Sequence, residues 1–270
     1  MITSHSNETV KSIRKLKDRK FRDTTKTAYV EGARQVIEAL KQGIVVEKII
    51  LAEAFLQSLH DERIESILEN SSITKIVVSD EVFKSFSLKE GPKGIAAVIQ
   101  QNWKKLSEFN DKLSGVWVCL WEIADPGNLG TIIRTLDAAG AKGAILAGNC
   151  TDPFDPVSIR ASMGAIFSKT LVKSNLAELV EVIKSKSYPV FGTSDSAGLY
   201  YRDVKYPDNM ILLMGSERQG IPQELGELCS KMVSLPMKGV CDSLNLAVAT
   251  GIILYEILDQ HNVPIGKNLK

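Results

Sequence analysis

The stretch that decides the fold runs from Gly115 to Gly148 and reads GVWVCLWEIADPGNLGTIIRTLDAAGAKGAILAG. An apolar run, GVWVCLWE, ends in the turn Asp125-Pro126-Gly127. A helix over Asn128 to Gly140 follows, and a second apolar run, GAILAG, closes the unit. Neither run alternates polar with apolar residues, which is how strands read when both faces of a parallel sheet are covered. Strand, glycine-marked turn, helix and strand in that order predict an α/β fold with crossover connections.

The pattern repeats downstream. The spacing predicts a helix over Pro156 to Phe167, the strand SKTLVKS, a helix over Leu176 to Ser185 and the strand YPVFGTS. The strand NMILLMGSE, a short helix from Pro222, the strand KMVSLP and a long helix starting at Ser243 complete it. Together these predict a mainly parallel sheet, with ligands collecting beyond the carboxyl ends of its strands. Upstream, a helix over Tyr29 to Lys41, the strand VEKIILA, a helix over Phe55 to Asn70, the strand TKIVVSD and, after a turn at Gly91-Pro92, the strand GIAAVIQ make a smaller α/β unit. The polar stretch Gln101 to Lys112 has no periodicity and reads as a linker. The expected domains are therefore residues 1–100 and 115–270, joined by 101–114.

With 270 residues and 44% apolar composition, the chain can bury a large core. Met1 to Lys20 is polar and then basic, without the apolar stretch of a secretion signal or anchor, so a soluble, cytoplasmic protein with no membrane partner is expected. Four cysteines, Cys119, Cys150, Cys229 and Cys241, lie far apart with no CxxC pair, which argues against a zinc site and a disulfide framework. No metal is expected. Net charge is only +1, so any footprint for nucleic acid must be local. Between Lys11 and Lys26 eight basic residues face two acidic ones, Asp18 and Asp23. This cluster fits either a phosphate-binding surface or a solvated helix face.

Three loops carry the residue types of a site. In the first, Asn128 is placed to cap a helix that carries Thr131, Arg134 and Asp137 at helical spacing. PGNLG is neither GxGxxG nor GxxxxGK[ST], so the dinucleotide and P-loop readings fail. On sequence alone, an arginine on such a helix reads more readily as a surface ion-pair partner than as a catalytic group. In the second, MGSERQGIP, Gly215 and Gly220 bracket Glu217, which can cap a helix or pair with Arg134, and the glycines allow close backbone approach or positive φ. The third, SLPMKGVCDSLNLAVATG, offers Asp242 or Ser243 as N-cap of the last helix, with Asn245 in its first turn. That helix, SLNLAVATGIILYEIL, is apolar around nearly its whole circumference, which fits core burial or a subunit interface.

In this order and spacing, NxGxxxRT, GxExxG and SLN before a small-residue helix resemble the SpoU/TrmH family of RNA 2'-O-methyltransferases. The segment DPFDPVSIRASMGAIF fits as well, so the likeness extends over Gly115 to His261. KxxRKLKDRK and AYVEGARQVIEAL are similar to the ribosomal-protein-L30e-like substrate-binding domain often fused to these enzymes. Motif three departs slightly, since many relatives have valine and serine after its asparagine.

The resemblance implies a SPOUT fold with a C-terminal trefoil knot, S-adenosylmethionine as cofactor and a homodimer. Chain knots are rare, and elementary reasoning would not propose one. The family pattern places cofactor contacts at Thr193, Ser194, Gly215, Leu235 and Leu244, where apolar side chains can sandwich adenine. It places catalytic and RNA-facing roles at Asn128, Arg134, Glu217, Ser243 and Asn245. RNA contacts are expected at Lys15, Lys17, Arg19 and Lys20 of the basic cluster and at Arg160. A structured RNA is the implied substrate, with 23S ribosomal RNA ahead of transfer RNA. An antibiotic-resistance methyltransferase, a base methyltransferase of the same fold and a non-catalytic RNA-binding protein are the competing readings.

Overall fold

A computed structural model describes residues 1–70, 72–88, 94–108, 114–186 and 188–261. The chain divides into two compact units, Met1–Asn102 with Asp152–Ser168, and Trp103–Thr151 with Lys169–Lys270.

The first unit holds strands β1 (Thr27–Glu31), β2 (Val46–Ala52), β3 (Thr74–Val78) and β4 (Ile95–Gln100), ordered β1-β4-β2-β3. β4 runs antiparallel to both β1 and β2, while β3 is parallel to β2. Helix Glu8–Lys15 is capped by Asn7, whose side chain accepts from Thr9 N, and buries Val10 and Ile13 against Phe83 and Phe86 of helix Asp80–Phe86. Arg22, 1% exposed, sits inside this unit and clips its distant segment. Its guanidinium donates to Asp152 Oδ2 at 2.7 Å, Asp155 Oδ2 at 3.2 Å, Leu16 O at 2.8 Å and Lys17 O at 2.9 Å.

Several expected elements differ in detail. Tyr29 to Lys41 is not one helix. Thr27–Glu31 is a fully buried strand paired with β4, and the helix begins at Ala33, after Gly32 at φ 104°. Tyr29 and Val30 favour extended backbone and outweigh a helical spacing that fits both states. Phe55 to Asn70 is broken into Glu53–Gln57 and Glu62–Asn70, the first helix ending at Ser58, whose N–H and hydroxyl both bond back to Ala54 O. The Pro156 helix stops at Ala161, and Met163 and Gly164 both take positive φ before a short 3-10 turn, Ala165–Phe167. The Gly91-Pro92 turn and residues 109–113 of the expected linker lie outside the described residues.

The second unit is built on β5 (Trp103–Lys105), β6 (Val116–Trp121), β7 (Gly143–Ala147), β8 (Thr170–Ser174), β9 (Val190–Thr193), β10 (Met210–Met214) and β11 (Lys231–Val233). Their order is β11-β9-β10-β6-β7-β8-β5, and every pairing is parallel. The chain thus leaves β9, enters between β9 and β6 as β10, and returns beyond β9 as β11. Trp117, Cys119, Ile145, Val172, Val190, Ile211 and Leu213 form the core. β5 arises inside the stretch that read as irregular, since three residues are too few to show a period. Helix Leu246–Gln260 packs on helix Pro126–Ala138. It buries Leu246, Ile253, Leu254 and Ile257, but leaves Val248, Ile252 and Tyr255 51%, 37% and 52% exposed along one stripe.

Candidate active site

At the carboxyl ends of β9, β10 and β11 the second unit opens a cleft of ≈660 Å³, inside the range of about 300–1,000 Å³ usual for small-molecule sites. Thr193, Ser194, Gly215, Leu235 and Leu244, the expected cofactor positions, all line it. So do Glu217, Ser243 and Asn245. Thr193 Oγ1 points back to Leu213 O at 3.4 Å, and Ser194 N is held by Val233 O at 3.0 Å, so both are fixed by neighbouring strands. Met214, Leu235 and Leu246 add apolar wall to the rim of polar loops.

The loop after β10 folds on itself through reciprocal bonds between Ser216 and Gly220, each 3.1 Å. A Cβ on Gly215 would meet the backbone of Gly220, and Ile221 N at 2.5 Å, so its own loop requires the glycine. Gly220 takes φ +66°, where a side chain would be strained. That hairpin holds Glu217 outward.

Glu217 neither caps a helix nor pairs with Arg134. Its Oε1 accepts from Asn128 Nδ2 at 3.2 Å, and Asn128 Oδ1 accepts from Asn245 Nδ2 at 2.9 Å. Asn245 in turn is the N-cap of the last helix, its Oδ1 accepting from Ala247 N at 2.9 Å and Val248 N at 3.3 Å. The capping expectation for Asp242 and Ser243 is therefore corrected: the helix starts three residues later than expected, and Ser243 instead donates to Asp242 Oδ1 at 3.4 Å. Asn128 is likewise not a cap. Asp125 caps that helix, accepting from Asn128 N at 2.6 Å, which leaves the Asn128 amide free to join Glu217 to Asn245.

Three of the five expected catalytic residues thus form one hydrogen-bonded chain, and Ser243 shares the cleft with two of them. Arg134 is the outlier. It is exposed on helix Pro126–Ala138, does not line the cleft, and its side chain has no hydrogen bond or ion pair among the described residues.

In the first unit, Lys15, Lys17, Arg19, Lys20 and Arg160 are all exposed. Lys15 Nζ lies 5.8 Å from the Phe21 ring centroid, Lys17 Nζ donates to Ser87 O at 3.4 Å, and Arg19 Nε is 3.7 Å from Asp23. Arg22, counted in the basic cluster on sequence, is withdrawn from the surface by Asp152 and Asp155. Cys119 and Cys229 are held as thiols: burial pushes both up, Cys229 to about 11. Among the described residues no helix is long and apolar enough to cross a membrane.

The family described as "SpoU rRNA Methylase family" matches residues 115–255, more than half of the chain. The chain belongs to that family. As a SpoU methylase it is an S-adenosylmethionine-dependent RNA methyltransferase, and a trefoil knot is characteristic of its fold. A second family, the MRM3-like substrate binding domain, matches residues 7–97. Among curated proteins, the chain is 32% identical over 256 residues to the 23S rRNA (guanosine(2553)-2'-O)-methyltransferase RlmP of Bacillus subtilis, covering 95% of this chain and 98% of that protein. Among solved structures, the AdoMet-bound rRNA methyltransferase from Sinorhizobium meliloti superposes with a TM-score of 0.87 at 32% identity, over 97% of this chain and 98% of the other. The SpoU methyltransferase AviRb from Streptomyces viridochromogenes, in complex with AdoMet, gives 0.84 at 27% identity, over 94% and 98%.

Proposed function

We propose that this SpoU protein transfers the methyl group of S-adenosylmethionine to a ribose 2'-hydroxyl of ribosomal RNA, with 23S RNA as its substrate, in the cytoplasm. The observation that carries the reading is the Glu217–Asn128–Asn245 chain at the rim of the strand-end cleft. Two relatives aligned over nearly the full chain, one named as a 23S rRNA 2'-O-methyltransferase and one as an rRNA methyltransferase, supply the substrate class. Residues 1–100 capture the RNA through Lys15, Lys17, Arg19 and Lys20, joined by Arg160 of the segment Asp152–Ser168, which belongs to the same compact unit. Residues 115–270 carry out the transfer, and 101–114 join them.

The cleft suits the cofactor chemically. Leu235, Leu246 and Met214 offer apolar surface to an adenine ring, while Thr193, Ser194 and the Gly215 backbone offer polar groups beside it. When bound, the cofactor supplies an activated methyl on a sulfonium that is already a good leaving group. What remains for the protein is to hold a 2'-hydroxyl in line and to receive its proton. The amides of Asn128 and Asn245 are fixed by their bonds to Glu217 and to each other and by the helix cap, so they present a rigid polar edge to the ribose. Ser243 and water are the candidate proton acceptors.

Arg134, with its planar guanidinium fork, serves as the cation that stabilises the developing alkoxide and clamps the adjacent phosphate. Because it lies off the cleft of its own chain, it acts in the site of a second subunit. The exposed stripe Val248, Ile252 and Tyr255, on the helix packed against Arg134's own, is the apolar surface that such a homodimer covers. Single-turnover assays with Arg134→Ala test this: methyl transfer at saturating RNA falls by about 100-fold or more, as for loss of one transition-state donor, while cofactor affinity is kept. A wild-type rate, or a fully active monomer in sedimentation, refutes the assignment.

A further inference from the structure

The first unit contains a cavity of ≈140 Å³ between β1, the Ala33–Lys41 helix and the Pro156–Ala161 helix, and none of its lining residues lines the methyl-transfer cleft. Its polar lining comprises one acceptor and two donors. The acceptor is Glu31, only 7% exposed, which accepts from Tyr29 Oη at 3.2 Å, Ser87 Oγ at 2.7 Å and Leu88 N at 2.9 Å, and pairs with no cation among the described residues. Three donors leave one lone-pair direction of the carboxylate unused. Burial, and then the Glu31 carboxylate, hold the Tyr29 phenol far above its ordinary range, so its proton stays committed to Glu31.

Gln35 supplies the first donor. Its Oε1 is buried in the protein without a hydrogen-bond partner, so the polar group it offers to the cavity is the Nε2 amino group, which is unbonded among the described residues. Arg160 supplies the second. It lines the cavity while remaining exposed to solvent, and its guanidinium has no hydrogen bond or ion pair among the described residues. Leu88, Val157 and Ile159 make the walls apolar, and polar groups set in such walls are costly unless a ligand meets them. A cavity of roughly 150 Å³ accepts one benzene-sized ring, which admits a pyrimidine and leaves no room for the second ring of a purine.

We propose that this cavity reads a cytosine of the RNA, with the N4 amino group donated to Glu31, N3 accepting from Gln35 Nε2 and O2 accepting from Arg160. The proposal rests on the RNA-substrate reading above. Unstacked bases of single-stranded segments are recognised in this way, by hydrogen bonds to the pairing edge and by contact with the ring faces. Cytosine alone among the four bases presents one donor followed by two acceptors on that edge, the complement of one acceptor and two donors. Uracil turns a carbonyl toward Glu31 and an N–H toward the Gln35 amino group. Guanine sets N–H groups against both donors, and adenine matches only two of the three groups while carrying a second ring.

The test uses the full chain and labelled single-stranded heptauridylate RNAs whose central residue is cytidine, uridine, adenosine, guanosine or the pyrimidin-2-one riboside, which is cytidine without its amino group. Fluorescence anisotropy reads the affinities. Cytidine is expected to bind about 5- to 150-fold tighter than uridine, the range that well-made hydrogen bonds to one base give, with the pyrimidin-2-one riboside in between. Val157→Trp, at a position already 41% exposed, blocks the pocket without disturbing the core, and should bring all five RNAs to the same affinity. Gln35→Leu removes the donor to N3 and the buried, unsatisfied Oε1 together, so the variant should fold and yet lose most of the cytidine preference.

Five RNAs of equal affinity, or no measurable binding of any of them, overturn the proposal, as does a cytidine preference that survives Val157→Trp. So does a folded Gln35→Leu variant that keeps the full preference, which is what a purely structural glutamine predicts. Methyl transfer to ribosomal RNA is measured separately. Transfer without cytidine preference sinks this inference alone, and cytidine preference without transfer sinks the assigned reaction alone.

Discussion

Asn245 holds two jobs on different atoms, so two substitutions separate scaffold from chemistry. Its Oδ1 caps the last helix through Ala247 N and Val248 N, and its Nδ2 donates to Asn128. Asn245→Ala removes both: loss of the cap costs about 0.5–2 kcal/mol and loss of an exposed hydrogen bond about 0.5 kcal/mol. For a domain of this size the sum lowers Tm by about 2–10 °C. Asn245→Asp keeps the acceptor at the cap and adds a negative charge at a helix N-terminus, which is worth about 0.3–1 kcal/mol in favour. It removes the donor, however, so the introduced carboxylate and Glu217 compete for the single amide nitrogen of Asn128. The chain to Glu217 then breaks or reverses. Calorimetry and single-turnover methyl transfer read the two effects. Asn245→Asp should melt within about 2 °C of the parent yet react at least about tenfold more slowly, equivalent to about 1.4 kcal/mol of barrier. A wild-type rate for Asn245→Asp refutes the role of the hydrogen-bonded chain, and equal melting of the Ala and Asp variants refutes the cap.

Arg22→Ala leaves Asp152, 5% exposed, without its buried partner. This should cost about 3–5 kcal/mol, lowering the urea midpoint of the first unit by about 2 M for an m-value near 2 kcal/mol/M. A loss below about 1 kcal/mol would show that the clip is ornamental, and Arg22→Met with Asp152→Leu should recover most of the stability. Neutralising Lys15, Lys17, Arg19 and Lys20 together should weaken ribosomal RNA binding and reduce the salt slope by up to about 4, roughly one for each phosphate that is no longer neutralised. Cofactor affinity should be unchanged in that variant. An unaltered salt slope by filter binding removes the cluster from the RNA surface.

The sheet of the second unit was legible because strands covered on both faces read as unbroken apolar runs, as in Met210–Met214 and Gly143–Ala147. β1 was not, since Ala28, Tyr29 and Val30 fit the apolar spacing of the helix that follows as well as they fit a strand. β5 carries too few residues to show any period. That Thr193, Ser194, Gly215, Leu235 and Leu244 share one cleft could be expected from the family's motifs, yet the link among Glu217, Asn128 and Asn245 could not: the partners stand 89 and 117 positions apart, and only strand order brings them together. Local capping signals were read one step off for the same kind of reason. Asp125 and Asn128 both suit an N-cap, as do Ser243 and Asn245, and the winner is set by where each loop is anchored. Arg22 is the clearest case of a misleading local pattern. Seven other cations surround it between Lys11 and Lys26, but its carboxylate partner Asp152 lies 130 positions away.

The central claim is tested most directly by incubating the purified chain with methyl-labelled S-adenosylmethionine and ribosomal RNA isolated from cells lacking the gene, then digesting the RNA with alkali. A 2'-O-methyl group blocks alkaline cleavage at its own phosphodiester, so the account predicts label in an alkali-resistant dinucleotide from 23S RNA, and none with Arg134→Ala. Label released in a mononucleotide, as from a methylated base, or no incorporation into ribosomal RNA at all, would contradict it.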